Sequence, residues 1–412
     1  MSQTDKLQPA SRARLLATSA DLFWAHGYRA TTTRRIAATL GLQQASLYHH
    51  VSSKEDLLYE ICERSLARLI ETAEQAIAGV PDPLQRLERL VRTSVAALLQ
   101  NQREHATMAF ELRALSPARQ TDIIRTLTRY RDLVRGEIRS AQAAGVLRQD
   151  IHARYLHLGL FNVLTWLLLW HRPGQELAPD AIADMLLDVF LHGAVADRHA
   201  PAPVPPVHPV SAPDEAPDTS DAARRTSERV LRVAASLFRA KGYDGTTARE
   251  IATALGIQKA SLYHHTRGKA HLLHAVSTNA LETIRGAVEA ASAAGSDPVD
   301  AVRRMAVAHV VSLLEHQDEH ATSLLETRAL SGAHQSQIGR LRESHEQAIR
   351  GGLEAGQRAG VIRTDISARY LGLVFFSLTN RSMLWYTPSG ELSPASLGEI
   401  FASLFLYGAA RR

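Results

Sequence analysis

The sequence predicts an all-α protein built from two copies of one helical unit. Apolar residues recur at helical spacing along most of the chain, and no alternating run of β-branched residues indicates a strand. The segment at 31–50, TTTRRIAATLGLQQASLYHH, returns at 246–265 as TTAREIATALGIQKASLYHH. The offset of 215 residues, which relates Tyr48 to Tyr263, continues without a gap from about residue 14 to residue 196. Because this period is far too long for a solenoid, we interpret the chain as a domain pair duplicated whole.

The repeated segment has the pattern of a helix-turn-helix. Its threonines can cap a first helix over about Thr33–Leu40, and Gly41 can end that helix without strain. A second helix is expected from about Gln43 to His50, and the residues expected to face inward are Ile36, Ala37, Leu40, Leu42 and Leu47. The outward face is made of amide, hydroxyl, phenol and imidazole groups, which suit base edges and phosphates. Any small helical domain has a polar outer face, so it is the second copy that favours this interpretation.

The remaining elements of the first half are also expected to be helices. Arg12–His26 would brace the helix-turn-helix, and Ser53 with Asp56 at capping-box spacing would begin a long helix to about Ala78. Further helices are expected from Pro83 to near Asn101, over Glu104–Arg113, from Pro117 to Gly145, over His152–Trp170 and over Pro179–Ala194. This gives nine helices, and the second half should repeat the plan, with a first helix over Arg224–Ala240 and one apolar helix over Leu371–Tyr386.

A linker separates the halves. Seven of the 16 prolines fall between Pro201 and Pro217, which indicates a semi-extended segment rather than a folded element. The predicted domains are 1–52 and 223–267 for DNA binding, 53–198 and 268–412 for ligand binding and dimerisation, and 199–222 for the linker.

The charge is concentrated on the helix-turn-helix segments. The chain carries a formal charge of +5, but residues 1–56 alone carry +3 and residues 221–271 carry +6. The rest is therefore net acidic, and the positive segments have the electrostatic character expected for phosphate contact.

The compartment is expected to be the cytoplasm. Cys62 is the single cysteine, which excludes an intramolecular disulfide and favours a reducing environment. The N-terminus lacks the apolar region of a signal peptide, and the apolar stretch Leu156–Trp170 is too short to span a membrane. We expect no membrane partner.

Each half resembles a complete TetR-family transcriptional regulator. The resemblance is carried by GY at 27–28, TTT at 31–33, IA at 36–37, GL at 41–42, ASLYHH at 45–50 and KEDL at 54–57. Most of these recur at 242–243, 246–247, 251–252, 256–257, 260–265 and Lys269. WHRPG at 170–174 and WYTPSG at 385–390 resemble the subgroup that contains the acyl-CoA-responsive repressor of steroid catabolism. One departure is TRGKAH at 266–271 in place of VSSKED, which we expect to weaken a helix cap.

The resemblance implies that the halves pair with each other. The family forms homodimers through a four-helix interface, and a short tether would make that pairing intramolecular, giving an intrachain pseudo-dimer. The apolar helices beginning near Leu156 and Leu371 would supply the surface; the alternative is that they are only intradomain core. Further oligomerisation of the chain is left open.

The resemblance also implies a role in contacting a double-stranded DNA operator for specific side chains. Tyr48 and Lys54, with Tyr263 and Lys269, would anchor phosphates. Gln43 and Gln44 would read bases, since an amide can pair with adenine in two places. Lys259 replaces Gln44 in the second half, which predicts a near-palindromic operator with unequal half-sites. The full set of expected DNA-binding residues is Thr32, Thr33, Arg34, Gln43, Gln44, Ser46, Tyr48, His49, Lys54, Thr246, Thr247, Arg249, Gln258, Lys259, Ser261, Tyr263, His264 and Lys269.

A small-molecule effector is expected to bind among the long helices of each half. Candidate ligand-binding residues are Phe110, Arg113, Tyr130, Trp166, Trp170, Arg328, Phe376 and Trp385. An aromatic stripe is more often core than pocket. Arg113 and Arg328 could hold an anionic head group, or they could pair with the nearby Glu111 and Glu326.

The function predicted is that of a bacterial, nucleoid-associated repressor released by a small hydrophobic or acyl-type ligand. An activator, or a small-molecule-binding protein with weak DNA binding, is the alternative. The adjacent histidines of the repeat do not share a helix face, so no metal is expected. No phosphate loop, nucleophile elbow or zinc-protease motif occurs, so we expect neither a cofactor nor an enzyme.

Overall fold

The computed structural model describes residues 9–48, 51–172, 174, 177–207 and 222–411. In this part of the chain the regular elements are helices, and the only β pairing is an isolated bridge between Val195 and Ile362. The all-α prediction is confirmed. The chain forms two compact units: unit 1 extends to Asp188 and includes Arg411, and unit 2 comprises Val189–Ala410.

The first repeat begins with the expected helix-turn-helix. Its helices are α1 Pro9–His26, α2 Thr33–Leu40, α3 Gln44–Tyr48 and α4 Lys54–Ile77. The bounds predicted for α2 are confirmed: the Thr32 side chain accepts a hydrogen bond from Arg35 N, and Gly41 ends the helix at φ 73°. Positions 49 and 50, to which α3 was expected to extend, lie outside the described residues.

The core of this domain contains four of the five expected residues. Ile36, Ala37 and Leu47 are buried, and Leu40 packs against them. The prediction for Leu42 is wrong, because its side chain is 39% exposed. The left-handed Gly41 reverses the chain, so that the Leu42 amide bonds back to Ala37 O at 2.9 Å. The turn thus satisfies a backbone carbonyl while the Leu42 side chain points outward.

Five more helices complete the first repeat. They are α5 Pro83–Gln100, α6 Gln102–Glu111, α7 Pro117–Ala143, α8 Ala153–Trp170 and α9 Pro179–His192, with a short 3-10 turn over Leu112–Ala114. The described residues of this repeat thus form nine α-helices, as expected. No helix in the part described has both the length and the apolar character needed to cross a bilayer.

The second repeat follows the same order with one break. Its helices are α10 Ala222–Lys241, α11 Ala248–Leu255, α12 Lys259–His265, α13 Lys269–Ala293, α14 Pro298–Glu315, α15 Gln317–Glu326, α16 Gly332–Arg358, α17 Ala368–Thr379, α18 Ser382–Trp385 and α19 Pro394–Tyr407. The single helix expected over Leu371–Tyr386 is wrong, since it is interrupted at Asn380–Arg381. Asn380 and Arg381 occupy the positions of Thr165 and Trp166 in the first repeat. The Asn380 side chain forms a hydrogen bond with His309, which lies on another helix.

The caps of α4 and α13 differ as the sequence predicted. Ser53 caps α4 by accepting from Asp56 N at 3.1 Å. Helix α13 begins after Gly268, where the structure shows no side-chain cap. The loss of the acidic first turn is therefore accompanied by loss of the cap.

Unit 2 contains backbone pairing between the end of the first repeat and the second repeat. Ala194 N donates to Phe405 O at 2.9 Å, and Ala409 N donates to Phe190 O at 2.8 Å. These two bonds are the same bond with the repeats exchanged, since 194 and 409, like 190 and 405, are 215 residues apart. Two further hydrogen bonds are related by the same exchange of repeats. Ala196 N donates to Val361 O in unit 2, and Arg411 N donates to Val146 O in unit 1, each at 2.9 Å.

Two glycines permit this close approach. Gly193 and Gly408 have φ of 77° and 73°. A Cβ at Gly193 would lie 2.2 Å from Leu406 O, and one at Gly408 would lie 2.2 Å from Leu191 O. Neither carbonyl can move without its helix, so a Cβ at either position would clash. The positive φ and this clash each require glycine.

Cys62 is packed in the core of the first repeat. Its side chain is fully buried among α1, α4 and their neighbours, and burial raises the pKa of its thiol to about 12.

Candidate functional site

The polar face of the first helix-turn-helix is organised around Thr33. The Tyr48 hydroxyl lies 3.2 Å from Thr33 Oγ1, and Gln44 Nε2 donates to the same oxygen at 3.2 Å. The hydrogen bonds with Thr33 and then Gln44 lower the pKa of Tyr48. Half of the Tyr48 side chain remains exposed. The structure therefore brings three expected site residues into one cluster that presents a phenol and an amide outward.

The first turn of α2 adds positive charge beside this cluster. Thr32, Arg34 and Gln43 are exposed, Ser46 is partly exposed, and the adjacent Arg35 is also exposed. Arg35 was not among the expected site residues. Two guanidinium groups beside a helix N-terminus form a surface suited to an anionic backbone.

The second repeat presents a different first turn. Glu250 replaces Arg35 and closes a capping box: Thr247 Oγ1 accepts from Glu250 N, and the Glu250 carboxylate accepts from Thr247 N at 2.8 Å. Lys241 donates to Glu250 at 2.7 Å, and this bond, followed by those from Thr247, lowers the pKa of Glu250 to about 2. The pattern TARE at 247–250 is the sequence signal for this box, although the box was not among our predictions. The first turn of α11 thus carries a carboxylate at the position where α2 carries the guanidinium of Arg35.

The other expected residues of this face are accessible. Arg249, Gln258, Lys259 and Tyr263 are exposed, and Ser261 is partly exposed. The ammonium of Lys259 lies 6.0 Å from the centroid of the Tyr263 ring. Tyr263 lacks the threonine partner of Tyr48, because Ala248 occupies the position that corresponds to Thr33.

Thr246 is a correction to the expected set. Its side chain is 1% exposed, and its hydroxyl donates to Gly242 O at 2.8 Å. Thr31 is its counterpart and donates to Gly27 O in the same way. The burial of Thr246 leaves its side chain no outward contact, and Thr247 is the threonine at the helix N-terminus. His49 and the side chain of His264 lie outside the described part of the chain.

The two lysines expected at phosphates hold the loop before the helix-turn-helix. Lys54 Nζ donates to Tyr28 O at 2.7 Å and to Thr31 O at 2.8 Å, and it lies 4.2 Å from the Tyr28 ring centroid. Burial and then the nearby Arg29 lower the pKa of Lys54. Lys269 repeats the contact, with Nζ 2.7 Å from Tyr243 O. Their contact with phosphate stays a prediction, and the geometry gives both lysines a bracing role.

The expected effector residues lie in several places in the helical domains. Tyr130 and Trp166 are buried, and the Tyr130 hydroxyl is 3.0 Å from Ser94 Oγ. Phe110 instead lies against Trp24 of α1, with ring centroids 6.2 Å apart. Trp170 is partly exposed near the end of α8.

In the second repeat, Phe376 is buried beside His309 and His345. Trp385 lies edge-on to Phe401. Arg113 is partly exposed and Arg328 is exposed, each on a 3-10 turn. Among the residues described, no group of three or more His, Cys, Asp or Glu side chains is placed to hold a metal ion.

Comparison with known proteins gives the same organisation. Residues 15–61 and 230–276 match the bacterial regulatory proteins of the tetR family, and residues 80–194 and 295–409 match the tetracyclin repressor-like C-terminal domain. The HTH-type transcriptional repressor KstR2 of Rhodococcus jostii (strain RHA1) is 32% identical over 189 residues, covering 46% of this chain and 93% of the relative. KstR2 of Mycolicibacterium smegmatis is 29% identical over 199 residues, covering 47% of this chain and 97% of the relative. The structure of KstR2 of Mycobacterium tuberculosis, at 25% identity and a TM-score of 0.43, covers 45% of this chain and 96% of that one.

The paired helix-turn-helix segments, each followed by an all-α domain, define a DNA-binding transcriptional regulator. Both family matches occur twice. The chain belongs to the TetR family, and it is a tandem regulator in which each repeat has the length of one family member.

Proposed function

We propose that the chain is an operator-binding repressor and that one chain supplies both DNA-binding domains, residues 1–52 and 223–267, which we call the reading heads. The two repeats would form an intrachain pseudo-dimer. A small hydrophobic or acyl-type ligand would release this pseudo-dimer from DNA. The observation that carries the pairing is the exchanged set of backbone bonds around Gly193 and Gly408. In twofold pairing, each contact between two residues occurs a second time between the equivalent residues with the two copies exchanged. The linker over 199–222 would keep the second repeat at high effective concentration. The domain boundaries given above are part of this proposal.

Repression is supported by the relatives, which are named transcriptional repressors. In this proposal the ligand binds one arrangement of the helical domains better than another and so shifts the population away from the DNA-binding state. The chain would act in the cytoplasm of a bacterium, at the nucleoid and without catalysis.

The operator would be near-palindromic with unequal half-sites. Gln44 and Lys259 occupy matching positions, as do Arg35 and Glu250. An amide suits adenine and an ammonium suits guanine or phosphate, so the two heads would differ in base preference and in charge.

The central experiment measures operator binding by fluorescence anisotropy. The probe is DNA from the region upstream of the chain's own gene, titrated with the full chain at several salt concentrations. We expect one chain per operator, sub-micromolar affinity and a steep salt dependence. A weak, salt-insensitive interaction would instead favour a small-molecule-binding protein, and a reporter that rises with the chain would favour an activator.

Two variants test the unequal heads. Gln44→Ala and Lys259→Ala should each cost about 1–3 kcal/mol on the natural operator. On operators made perfectly symmetric, each variant should lose affinity for one symmetric form much more than for the other. If both symmetric forms bind the wild-type chain equally well, the unequal heads are excluded.

The pairing is tested by three glycine substitutions. Gly193→Ala and Gly408→Ala should each lower stability by more than about 2 kcal/mol, because a positive φ and a backbone clash act together. Gly79→Ala is the matched control, since Gly79 has φ 71° and a Cβ there would meet no atom within 4 Å. It should cost only about 1 kcal/mol. Equal effects at all three sites, or light scattering showing that the chain is paired only with other chains, would exclude the intrachain pair.

A further inference from the structure

The helical domain of the second repeat contains a buried chain of polar side chains that the first repeat lacks. His309 of α14 lies between Asn380, at the end of α17, and His345 of α16. His309 Nε2 is 2.8 Å from Asn380 Oδ1, and His309 Nδ1 is 3.2 Å from His345 Nε2. His309 is 1% exposed and His345 is 6% exposed. These contacts join three helices inside the core of the domain.

The order of donors and acceptors along this chain is fixed at one end. Asn380 Oδ1 can only accept, so His309 Nε2 carries the hydrogen. Burial and the neighbouring His345 lower the pKa of His309 well below its usual value, which keeps that ring neutral. A neutral His309 then accepts at Nδ1, and His345 must donate from Nε2.

The last atom of this hydrogen-bonded series, His345 Nδ1, has a lone pair without a partner among the described residues. Burial and then the charge of Arg285 lower the pKa of His345 to about 4, so its Nδ1 carries no hydrogen near neutral pH. This nitrogen is buried and has no hydrogen-bond partner among the described residues. An unsatisfied buried acceptor destabilises the folded state, because the hydrogen bond that it made with water is not replaced. A molecule that donates a hydrogen bond to it would recover that cost.

The surroundings favour an apolar molecule. The Phe376 ring centroid lies 5.5 Å from that of His345 and 5.6 Å from that of His309, and Phe375 packs edge-on against Phe376. Arg285, whose charge lowers the pKa of His345, donates from Nη1 to Glu289 at 2.9 and 3.1 Å. The site therefore combines an aromatic wall with the unpaired acceptor His345 Nδ1.

The first repeat differs at the two matching positions. Ser94 and Tyr130 occupy the positions of His309 and His345, and their hydroxyls satisfy each other at 3.0 Å. Burial raises the pKa of Tyr130 to about 12, so its phenol stays neutral. At these matching positions, the second repeat therefore leaves the lone pair of His345 Nδ1 unsatisfied, whereas the first repeat pairs both hydroxyls.

We propose that the helical domain of the second repeat binds a neutral apolar molecule through a hydroxyl group that donates to His345 Nδ1. This inference rests on the proposed function, since it makes this domain an effector-binding domain. A carboxylate, ketone or ether has no hydrogen to donate and would place its own lone pairs against that nitrogen. The first repeat would not make this selection.

The test compares 2-naphthol with 2-methoxynaphthalene and 2-naphthoate on the full chain. Calorimetry should show that 2-naphthol binds about tenfold more tightly than the ether, the value of one buried hydrogen bond. With ¹⁵N-labelled histidine, NMR should show His345 protonated at Nε2, and its Nδ1 resonance should shift with 2-naphthol but not with the ether. His345→Phe keeps a ring of similar size and should abolish the preference. Tyr130→Phe, at the matching position, should leave the preference unchanged, and thermal unfolding checks that both variants fold.

Several results would overturn the inference. They are equal binding of alcohol and ether, tighter binding of naphthoate, no binding of any probe, a preference that survives His345→Phe, or a proton on Nδ1. If a bound water satisfied Nδ1 permanently, the alcohol and the ether would bind equally, which is the first of these results. The operator assay separates the two proposals: a chain that prefers 2-naphthol but never releases DNA overturns the proposed function alone. A chain released from DNA by another ligand, without this preference, overturns only the inference.

Discussion

The helix that follows each reading helix, α4 in the first repeat and α13 in the second, is held to the helical domain by different chemistry at matching positions. In the first repeat, Arg119 of α7 forms an ion pair with Asp56 of α4 and lies 5.1 Å from the ring centroid of Tyr59. We call these three residues junction 1. In the second repeat the same positions are His334 of α16 and His271 and His274 of α13, which we call junction 2.

Junction 2 has imidazole rings at the positions of the ion pair and the phenol. The rings of His274 and His334 are stacked with centroids 4.2 Å apart, and His271 Nδ1 lies 3.2 Å from Thr266 Oγ1. Each junction joins the helix after the reading helix to the helix that packs across it. The same fold therefore holds α4 by an ion pair and α13 by stacked imidazole rings.

The largest expected effect is on stability, when one residue of each junction is substituted by alanine. Arg119→Ala should lower the stability of the first DNA-binding domain by about 1–2 kcal/mol, because a partly exposed ion pair and a cation–π contact are lost together. His334→Ala removes one ring of a stacked pair and should cost less than about 1 kcal/mol. Hydrogen exchange in peptides from α2 and α11 measures both. A larger loss in the second repeat would contradict the comparison.

Acid should weaken junction 2 before junction 1. Burial and then the neighbouring His334 lower the pKa of His274 in the folded state. The unfolded chain therefore binds more protons, and stability falls as the pH decreases below about 6.5. Burial opposes ionisation of Asp56, but hydrogen bonds from Arg119 and Ser53 prevail and lower its pKa. Its contribution is kept until the pH falls below about 3.9.

The measurement is hydrogen exchange from pH 7.5 to 5, corrected for intrinsic rates. Protection should decrease in α11 and α12 more than in α2 and α3. The triple variant His271→Asp, His274→Tyr, His334→Arg rebuilds junction 1 in the second repeat and should remove the difference. If it does not, the buried His309 and His345 cause the pH response instead.

A smaller effect is expected from the charges at the first turns of α2 and α11. Glu250→Gln keeps a capping side chain but removes a carboxylate beside DNA, and operator affinity should rise about two- to fivefold. Arg35→Gln, at the matching position, should lower affinity by a similar factor and reduce the salt slope by about 1. Anisotropy at two salt concentrations measures both. A fall in affinity for Glu250→Gln would mean that its cap matters more than its charge.

The smallest effect is that of salt on stability. Raising the ionic strength from about 0.1 to 1 M should weaken junction 1 by about 0.5 kcal/mol or less through screening. Junction 2 is held by ring stacking rather than by an ion pair and should not respond. Exchange rates in α2 and α11 under both conditions give the comparison, and equal responses would argue against it.

Local signals in the sequence predicted the elements that are fixed locally. The bounds of α2 follow from Thr32 and Gly41, which act within one turn of the helix they bound. The repeat, the helix order and the missing cap at α13 were predicted on the same basis. Leu42 was not, because the direction of its side chain depends on how the Gly41 turn closes.

Features that depend on distant partners were not predictable. The break between α17 and α18 involves Asn380, whose partner His309 is 71 residues away in sequence. The burial of Thr246 depends on carbonyls of the preceding helix and its end, Leu237 and Gly242. The capping box at Thr247 and Glu250 is local and could have been found from its spacing.

The burial of Cys62 has a practical consequence for spectroscopy. It is the single cysteine of the chain, and its thiol is fully buried with a pKa raised to about 12. Thiolate is the form that reacts with maleimides, so the native protein should be nearly inert to such reagents. A cysteine introduced on either reading helix could therefore be labelled selectively without first removing the natural one.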